Sequence, residues 1–159
     1  MTPVQDLPYR PCAGMMVINR HGQVFVGKRI DMASDHWQMP QGGIDAGEDP
    51  LTAARREVLE EIGTDKIELI YELPDWLTYD LPDHLIGKVW KGKYRGQKQK
   101  WFLFQLTGAD EDINIFTEHQ EFSEWRWLEV SELPKRIVPF KKDIYEILVE
   151  RFTPYIQSD

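Results

Sequence analysis

Three glutamates, Glu57, Glu60 and Glu61, lie close together in a segment whose remaining residues favour a helix. At 100° per residue their side chains fall within about 100° of each other on one helix face. Neighbours at these spacings are about 5–6 Å apart, so each carboxylate pair repels by roughly 3 kcal/mol at an effective dielectric of 20, before solvent and salt screening. A cation should therefore sit against this face.

Two kinds of cation could do so. Arg56 reaches Glu60 at i, i+4, and in that case the face is a salt-bridged surface helix. Alternatively, carboxylate oxygens without neighbouring His or Cys ligands suit Mg²⁺ or Mn²⁺, especially where substrate phosphates complete the coordination shell. The three glutamates alone leave both interpretations open.

The helix that carries them has clear ends. Asp49 is a good N-cap, Pro50 suits the first helical position, and Gly63 ends the helix after Ile62. An apolar stripe runs along an adjoining face, formed by Leu51, Ala54, Val58 and Ile62. The helix should pack with the stripe and present the carboxylates beside it.

The rest of the chain reads as strands followed by a terminal helix. The segments Cys12 to Ile18 and Gln23 to Arg29 are rich in β-forming residues and flank a turn, which predicts a hairpin. Further strands are predicted from Ile67 to Leu73, Trp101 to Leu106 and Phe122 to Leu128. After Pro139, an amphipathic helix is predicted from the spacing of Ile144, Ile147, Leu148 and Phe152. Together these elements predict an α/β or α+β fold in packed layers.

The composition of the 159 residues, 42% hydrophobic and 29% charged, is that of a globular protein, and we expect one domain, 1–159. No apolar stretch approaches the roughly 18 residues of a membrane helix. The N-terminus has neither a basic start nor an apolar core, so we expect no secretory signal. The single cysteine, Cys12, agrees with a reducing compartment. We therefore predict a cytoplasmic protein without a membrane partner.

The net charge of −8 is unevenly distributed. The segment 84–109 has no acidic residue but carries six cations, namely Lys88, Lys91, Lys93, Arg95, Lys98 and Lys100. Without them, 13 basic residues face 27 acidic ones. The segment is either a solvated loop with lysines guarding an edge strand, or a surface that attracts phosphates, with Lys88 and Lys100 as candidate contacts. With so little basic charge elsewhere, we do not expect the protein to wrap a long stretch of nucleic acid, and we expect no DNA partner.

The spacing of residues across 42–64 resembles the Nudix box: Gly42, Glu48, Arg56-Glu57, Val58, Glu60-Glu61 and Gly63. Only the last position departs from the pattern, because Thr64 stands where a larger aliphatic residue is usual. Thr is β-branched and similar in shape, so the departure should change the metal site little.

The resemblance implies a Nudix αβα sandwich with a mixed sheet. It implies that Glu57, Glu60 and Glu61 bind a divalent metal, that the Gly42 carbonyl is a further ligand, and that Arg56 orients the glutamates. Glu48 would support the loop. Such a metal neutralises a polyphosphate and lowers the pKa of an attacking water, whose proton a nearby carboxylate can take. Which carboxylate acts as the base stays open.

Residues outside the box extend the resemblance, including Tyr9-Arg10-Pro11, the segments 37–43 and 96–102, Glu121-Phe122, and Trp125-Arg126-Trp127. They are similar to the RNA pyrophosphohydrolase and dinucleoside polyphosphate hydrolase subfamily. The implied substrates are 5′-triphosphorylated RNA ends, converted to monophosphate ends, and diadenosine tetraphosphate, cleaved asymmetrically to ATP and AMP. A dedicated dinucleotide hydrolase and a Nudix-fold sensor without turnover are the alternatives.

The same resemblance assigns candidate substrate contacts. Glu121 matches a carboxylate that reaches the metal from a distant loop, and Arg10 and Arg29 match phosphate contacts, a role that suits guanidinium groups. The remaining matches concern bases: Val138, Phe140 and Lys141 match positions that hold a base of the RNA end, and Tyr79 and Tyr94 are weaker candidates for stacking on adenine. The competing interpretation is that Phe140 begins the apolar face of the last helix and Lys141 is solvated.

Overall fold

A mixed seven-stranded sheet forms the centre of the computed structural model, which describes residues 3–31 and 35–156. Its strands are β1 (Tyr9–Ile18), β2 (Val24–Arg29), β3 (Gln41–Gly43), β4 (Ile67–Glu72), β5 (Leu77–Asp80), β6 (Gly96–Leu106) and β7 (Phe122–Leu128). The helices are α1 (Pro50–Ile62), α2 (Leu133–Arg136) and α3 (Lys142–Phe152). Short 3₁₀ turns lie at Val4–Asp6, Trp90–Gly92, Asp110–Asp112, Val130–Glu132, Pro139–Lys141 and Thr153–Tyr155.

The sheet is built around one parallel pair. Strands β1 and β6 run parallel in an unbroken register from Tyr9↔Gly96 to Ile18↔Gln105. The main order is β4-β6-β1-β2-β7, and every other pairing is antiparallel. Strand β3 pairs with the middle of β1, at Cys12–Gly14, and β5 pairs with the first half of β6. The starts of β1 and β6 therefore lie beside β3, β5 and the end of β2.

Helices cover both faces of the sheet, which makes the fold an αβα sandwich as expected. Helix α1 packs on one face, where Ala54, Val58 and Ile62 meet Phe102 and Phe104. Helix α3 packs on the other, and its residues there are Ile144, Tyr145, Leu148 and Phe152. Alternate residues of β6 supply the two cores, because successive strand side chains point to opposite faces. Within the described residues, no helix is long and apolar enough to cross a membrane.

The predicted ends of α1 are confirmed. The Asp49 side chain accepts from the backbone N–H groups of Leu51 and Thr52 at 3.1 and 3.2 Å, which satisfies two of the free donors of the first turn. Gly63 adopts the left-handed conformation, with φ 81°, and its N–H bonds to the Leu59 carbonyl.

Three predictions of local structure need correction. Strand β6 begins at Gly96, five residues before the predicted start at Trp101. The prediction missed this part of the strand because Gln97 and Gln99 are buried polar residues that interrupt the apolar pattern. Strands β3 and β5 were not predicted, since three- and four-residue strands carry too little periodicity. Ile147 is 37% exposed, and Tyr145 contributes to the buried face of α3 instead.

Candidate active site

A cavity of about 790 Å³ opens at the end of the sheet where β1 and β6 begin. Its lining comes from every part of the fold: residues Arg10, Arg29, Asp31, His36, Gln38, Gln41, Gly42, Gly43, Glu57, Glu60, Tyr79, Leu81, Leu85, Val89, Trp90, Gln97, His119, Glu121, Ile137, Val138, Phe140 and Lys141. Most of the predicted site residues therefore converge, although they span more than 130 positions in sequence. The cavity has an acidic side, a cationic side and an apolar wall.

Arg56 organises the acidic side. Its Nε and Nη2 donate to the two carboxylate oxygens of Glu48, each at 2.9 Å, and its Nη2 also donates to the Gly43 carbonyl at 3.0 Å. Its Nη1 donates to Glu57 at 2.9 Å and to Glu60 at 3.2 Å. One guanidinium thus joins the loop before α1 to two of the three helix glutamates. The hydrogen bonds from Arg56, together with one from the Asp45 N–H, lower the pKa of Glu48 to about 2.

Gly42 lies directly against Glu57. A Cβ atom at Gly42 would lie 2.1 Å from the Glu57 Cδ, which is far closer than real Cβ contacts. Only glycine lets the backbone of β3 approach the carboxylate in this way. Gly42 and Glu57, both expected to supply metal ligands, are therefore in direct contact.

Glu61 is the most deeply buried of the three helix glutamates, with 2% of the residue exposed. Its Oε2 is a buried side-chain oxygen without a hydrogen-bond partner among the described residues. Burial, reinforced by the charges of Glu57, Glu121 and Glu60, raises the pKa of Glu61 well above its ordinary value. A buried carboxylate without a partner is costly when ionised, so the charged form of Glu61 requires a cation beside it.

Glu121 joins the site from the segment before β7. The Ile30 N–H donates to the Glu121 carbonyl at 2.8 Å, which ties this segment to the end of β2. Burial raises the pKa of Glu121, while Arg29 and His119 oppose the shift. Burial likewise raises the pKa of Glu57, with Glu60 and Glu121 adding to it. These shifts share a physical cause, which is the partial loss of solvation around neighbouring negative charges.

These residues fit a divalent cation in their chemistry. The donors are hard oxygens, one is buried and unpartnered, and raised carboxylate pKa values mark a deficit of positive charge. Across 3–31 and 35–156 no three His, Cys, Asp or Glu side chains already converge as a ligand cluster. Arg56 holds Glu57 and Glu60 in ion pairs, so their oxygens are directed toward the guanidinium.

The cationic side carries three basic residues with different surroundings. Arg10 is half-buried, lies 5.6 Å from the centroid of the Trp90 ring, and donates to the Cys12 Sγ at 3.4 Å. No carboxylate pairs with it in the described part of the chain, so its charge faces the cavity. Burial lowers the pKa of Lys141 to about 8, and the neighbouring charge of Arg29 acts in the same direction. Arg29 is already paired with Asp31, at 2.6 and 2.8 Å.

The apolar wall brings Phe140 against Tyr79, with ring centroids 5.6 Å apart. Lys141 lies over the same two rings at 5.9 and 5.7 Å. Val138 lines the cavity beside them. Helix α3 begins only at Lys142, so Phe140 lies in the preceding 3₁₀ turn and not on the helix. Lys141 is partly buried and is therefore not a fully solvated surface residue.

Three predicted contacts lie outside the cavity. Lys100 is 8% exposed and is held by the Pro74 carbonyl at 2.9 Å and by Glu72 at 3.3 Å, which corrects its prediction as a phosphate contact. Tyr94 packs edge-on against Trp90, outside the lining. Lys88 is exposed and adjoins the lining residue Val89 without lining the cavity itself.

Only part of the cationic segment 84–109 therefore remains free of protein partners. Its member Arg95 pairs with Asp80 at 2.7 Å, and Lys98 lies 5.3 Å from the centroid of the Trp76 ring. Together with Lys100, these cations are engaged by neighbours on β5 and the β4–β5 connection. The prediction of a surface that attracts phosphates is thus reduced to the exposed cations before Arg95.

Sequence reasoning missed several lining residues. Gln41 and Gln97 lie on the floor, Trp90 forms part of the wall, and His36 lies at the rim. The glutamines lie within segments that carried the resemblance, 37–43 and 96–102, so that signal was available. Trp90 had no such signal, because its position depends on the folded connection between β5 and β6.

Comparison with known proteins agrees with the geometry. The NUDIX domain family model matches residues 8–148. The RNA pyrophosphohydrolase of Sphingopyxis alaskensis is 56% identical over 152 residues, covering 94% of this chain and 96% of its own length. That of Roseobacter denitrificans is 54% identical over 160 residues, covering 98% and 100%. That of Rickettsia canadensis is 55% identical over 152 residues, covering 96% and 94%.

Solved structures share the fold at low sequence identity. The E. coli dihydroneopterin triphosphate pyrophosphohydrolase superposes with a TM-score of 0.70 at 22% identity, covering 91% of this chain and 99% of that one. A C. elegans Ap4A hydrolase binary complex gives a TM-score of 0.65 at 23% identity, covering 92% and 96%. The family match spans the sheet, α1 and most of α3, and the chain belongs to the NUDIX family.

Proposed function

We propose that the protein is an RNA pyrophosphohydrolase that converts 5′-triphosphorylated RNA ends to 5′-monophosphate ends. The observation that carries the proposal is one cavity that combines several carboxylates, the cations Arg10, Arg29 and Lys141, and an aromatic wall. The cations suit a polyphosphate, and the wall suits an unpaired base at its end. The relatives named RNA pyrophosphohydrolases, at 54–56% identity over nearly the whole chain, support the same reaction.

A divalent cation would be held by Glu57, Glu60, Glu61 and Glu121 together with the Gly42 carbonyl. When bound, it would polarise a phosphorus centre and lower the pKa of an attacking water. We propose Mg²⁺ as the physiological ion, with Mn²⁺ able to substitute, because all of these donors are hard oxygens.

The chain's own residues would position the substrate and move the proton. Arg10, Arg29 and Lys141 bind phosphate oxygens, and Arg29 does so by exchanging its pairing with Asp31 for the substrate. A site carboxylate accepts the proton of the attacking water. Arg56 stays in its ion pairs throughout and keeps two glutamates oriented. Burial of the cavity strengthens each of these contacts.

Phe140, Val138 and Lys141 would bind a base near the RNA end. Phe140 offers a ring already braced by Tyr79, and Lys141 offers a cation beside it. Stacking on an aromatic residue suits an unpaired nucleotide and does not require a duplex groove. We propose that the catalytic unit is the single domain 1–159, that it works in the cytoplasm, and that it engages only the RNA end.

The experiment compares two substrates under the same Mg²⁺ concentration: a short 5′-triphosphorylated RNA and diadenosine tetraphosphate. We expect a 5′-monophosphate end from the RNA, and ATP and AMP from any dinucleotide cleaved. Phe140→Ala should lower kcat/KM about tenfold or more for RNA, since stacking contributes about 1–3 kcal/mol per base. Brisk dinucleotide cleavage with RNA cleavage near background would instead identify a dedicated dinucleoside polyphosphate hydrolase.

A second arm tests turnover itself. Glu57→Gln should abolish Mg²⁺-dependent cleavage while leaving the fold intact, checked by circular dichroism. If the wild-type protein binds both substrates and cleaves neither, it is a nucleotide sensor and the proposed activity is wrong.

A further inference from the structure

Two buried glutamines, Gln97 and Gln99, form a hydrogen-bonded chain with the partly exposed Gln41 and the indole of Trp101 at the cavity floor. Gln99 Nε2 donates to Gln41 Oε1 at 2.6 Å and to Gln97 Oε1 at 2.7 Å, and Trp101 Nε1 donates to Gln99 Oε1 at 2.8 Å. Gln97 and Gln99 are 1% and 2% exposed, and Trp101 is 1% exposed. Buried amides in such a chain cannot exchange partners with water, so their orientation is set by one another.

The indole determines the direction of the whole chain. An indole N–H can donate a hydrogen bond and cannot accept one, so the atom facing it on Gln99 must be the amide oxygen. The Gln99 NH₂ group then points the other way, and its two hydrogens require two acceptors. Those acceptors are the Oε1 atoms of Gln41 and Gln97.

Each of these two glutamines therefore turns its NH₂ group away from Gln99. Both residues line the cavity, and neither Nε2 atom has a hydrogen-bond partner within the part of the chain that the structure describes. The floor thus offers two amide donors, and it does so because Trp101 excludes the flipped arrangement, in which two acceptors would face the cavity.

Trp101 is itself fixed in place. Its ring lies flat on β1, where a Cβ atom at Gly14 would come within 2.3 Å of it. Tyr145 packs against it edge-on, with centroids 6.2 Å apart, and the Tyr145 hydroxyl in turn accepts from the Met39 N–H at 2.8 Å. A ring held on two sides keeps its N–H pointing in one direction.

The donors sit beside a positive charge. Gln97 is the register partner of Arg10 on β1, and register partners in neighbouring strands project to the same face of the sheet. Arg10 is a cavity cation that has no carboxylate partner among the described residues. Two N–H donors beside an unneutralised guanidinium are suited to an anionic oxygen acceptor.

We propose that Gln41 and Gln97 form a subsite for a phosphate oxygen, and that Gln99 and Trp101 are positioning residues that fix its donor polarity. The proposal rests on the proposed function, since it assumes that a polyphosphate enters this cavity. It assigns to the buried Gln-x-Gln-x-Trp pattern of β6 a role in binding in addition to packing.

The kinetic test changes one residue of the hydrogen-bonded chain at a time. Gln97→Met deletes one cavity donor together with the oxygen that accepts from Gln99, and Trp101→Phe deletes the N–H that orients the chain. Each should raise KM for triphosphorylated RNA about tenfold with kcat changed less than about twofold, because a contact made equally in the bound substrate and in the transition state affects KM alone. Trp127→Phe is the matched control, because its indole N–H donates to Asp110 at 3.1 Å outside the cavity, and its KM should be unchanged.

The direct test uses inorganic pyrophosphate as the probe and the side-chain NH₂ signals in a ¹⁵N-edited NMR spectrum as the readout. Pyrophosphate should shift the Gln41 and Gln97 signals and leave that of Gln105, which bonds to backbone carbonyls at 3.2 and 3.4 Å, unmoved. Pyrophosphate affinity should fall about tenfold in Gln97→Met. If Trp101→Phe does not fold, Gln97→Met and the NMR titration still decide the matter.

The outcomes separate this proposal from the proposed function. If pyrophosphate shifts the two signals but the wild-type protein does not cleave triphosphorylated RNA, the subsite stands and the proposed function is wrong. If the protein cleaves RNA while both signals stay unmoved, or while Gln97→Met keeps the wild-type KM, the subsite is wrong and the function stands.

Discussion

The backbone of Gly42 and the carboxyl group of Glu57 occupy adjoining space, because a Cβ atom on the glycine would lie 2.1 Å from Cδ and 2.2 Å from Oε2 of the glutamate. Gly43 has a parallel relationship with Arg10, whose Nη2 would lie 2.7 Å from an added Cβ. The two adjacent glycines of β3 thus leave space for Glu57 on the acidic side of the cavity and for Arg10 on its cationic side.

Gly42→Ala should lower kcat by about 100-fold, because the added methyl group displaces a carboxylate that must be placed to within about 1 Å. Gly43→Ala should instead raise KM, since it pushes only the flexible end of Arg10, the proposed phosphate contact. Steady-state kinetics on triphosphorylated RNA distinguish the two effects. A Gly42→Ala enzyme with more than half of the wild-type kcat would show that the close approach is not required.

Glu61→Gln should abolish the stabilisation that divalent metal gives to the folded protein. Metal that binds only the native state raises the unfolding temperature by mass action, and the variant loses a buried ligand oxygen. Without metal, the variant should unfold at the same temperature or higher, because it no longer buries an uncompensated carboxylate. The measurement is a thermal melt with Mn²⁺ and with EDTA, and an undiminished metal-dependent increase would contradict the assignment.

Arg56→Lys should lower kcat by about 10- to 100-fold although it keeps the charge. A lysine cannot reproduce the two-point contact with Glu48 while also bonding to Glu57 and Glu60, so the glutamates lose their common support. Loss of a support behind the ligands typically costs 10- to 100-fold in metal affinity or activity. Activity should be compared with that of Arg55→Lys, in which an exposed neighbouring arginine receives the same change. Equal activities of the two variants would remove Arg56 from this role.

Lys141→Met should raise the free energy of unfolding of the substrate-free protein at pH 7 by about 1–3 kcal/mol. It should also weaken substrate binding, because it removes a cation from the cavity. The pKa of Lys141 lies at about 8 in the folded protein, against 10.5 ordinarily, so the unfolded chain binds more protons between these pH values. This contribution to stability therefore rises with pH across that window, and below about pH 8 the buried cation is fully destabilising.

Urea unfolding at pH 7 and at pH 10 measures the effect on stability. The advantage of Lys141→Met over the wild-type protein should be largest at pH 7 and should shrink by pH 10, where the wild-type lysine is mostly neutral when folded. Lys142→Met, an exposed neighbour, is the control and should show little change at either pH. A difference independent of pH would mean that the cation is not the cause.

The spacing of residues was sufficient to predict the carboxylate helix. Its ends depend on Asp49 and Gly63, whose capping roles are local, and its acidic face follows from helical periodicity alone. The hairpin of β1 and β2 and the strand β7 were also predicted, because alternating apolar residues and turn residues are local signals. The family resemblance added the convergence of Arg10, Glu121 and Phe140, which no local pattern contains.

Tertiary structure decided which of the candidates meet in one cavity. Lys100 and Lys88 belong to the same cationic segment, yet the first is buried in an ion pair with Glu72 and the second is exposed beside the cavity, because strand alternation and chain folding separate neighbours in sequence. The parallel register of β1 and β6 placed Gln97 beside Arg10. The orientation of the Gln41 and Gln97 amides depends, through Gln99, on the indole N–H of Trp101. The bond from Gln99 to Gln41 joins residues 58 positions apart, and such a contact has no signature in composition, charge or periodicity.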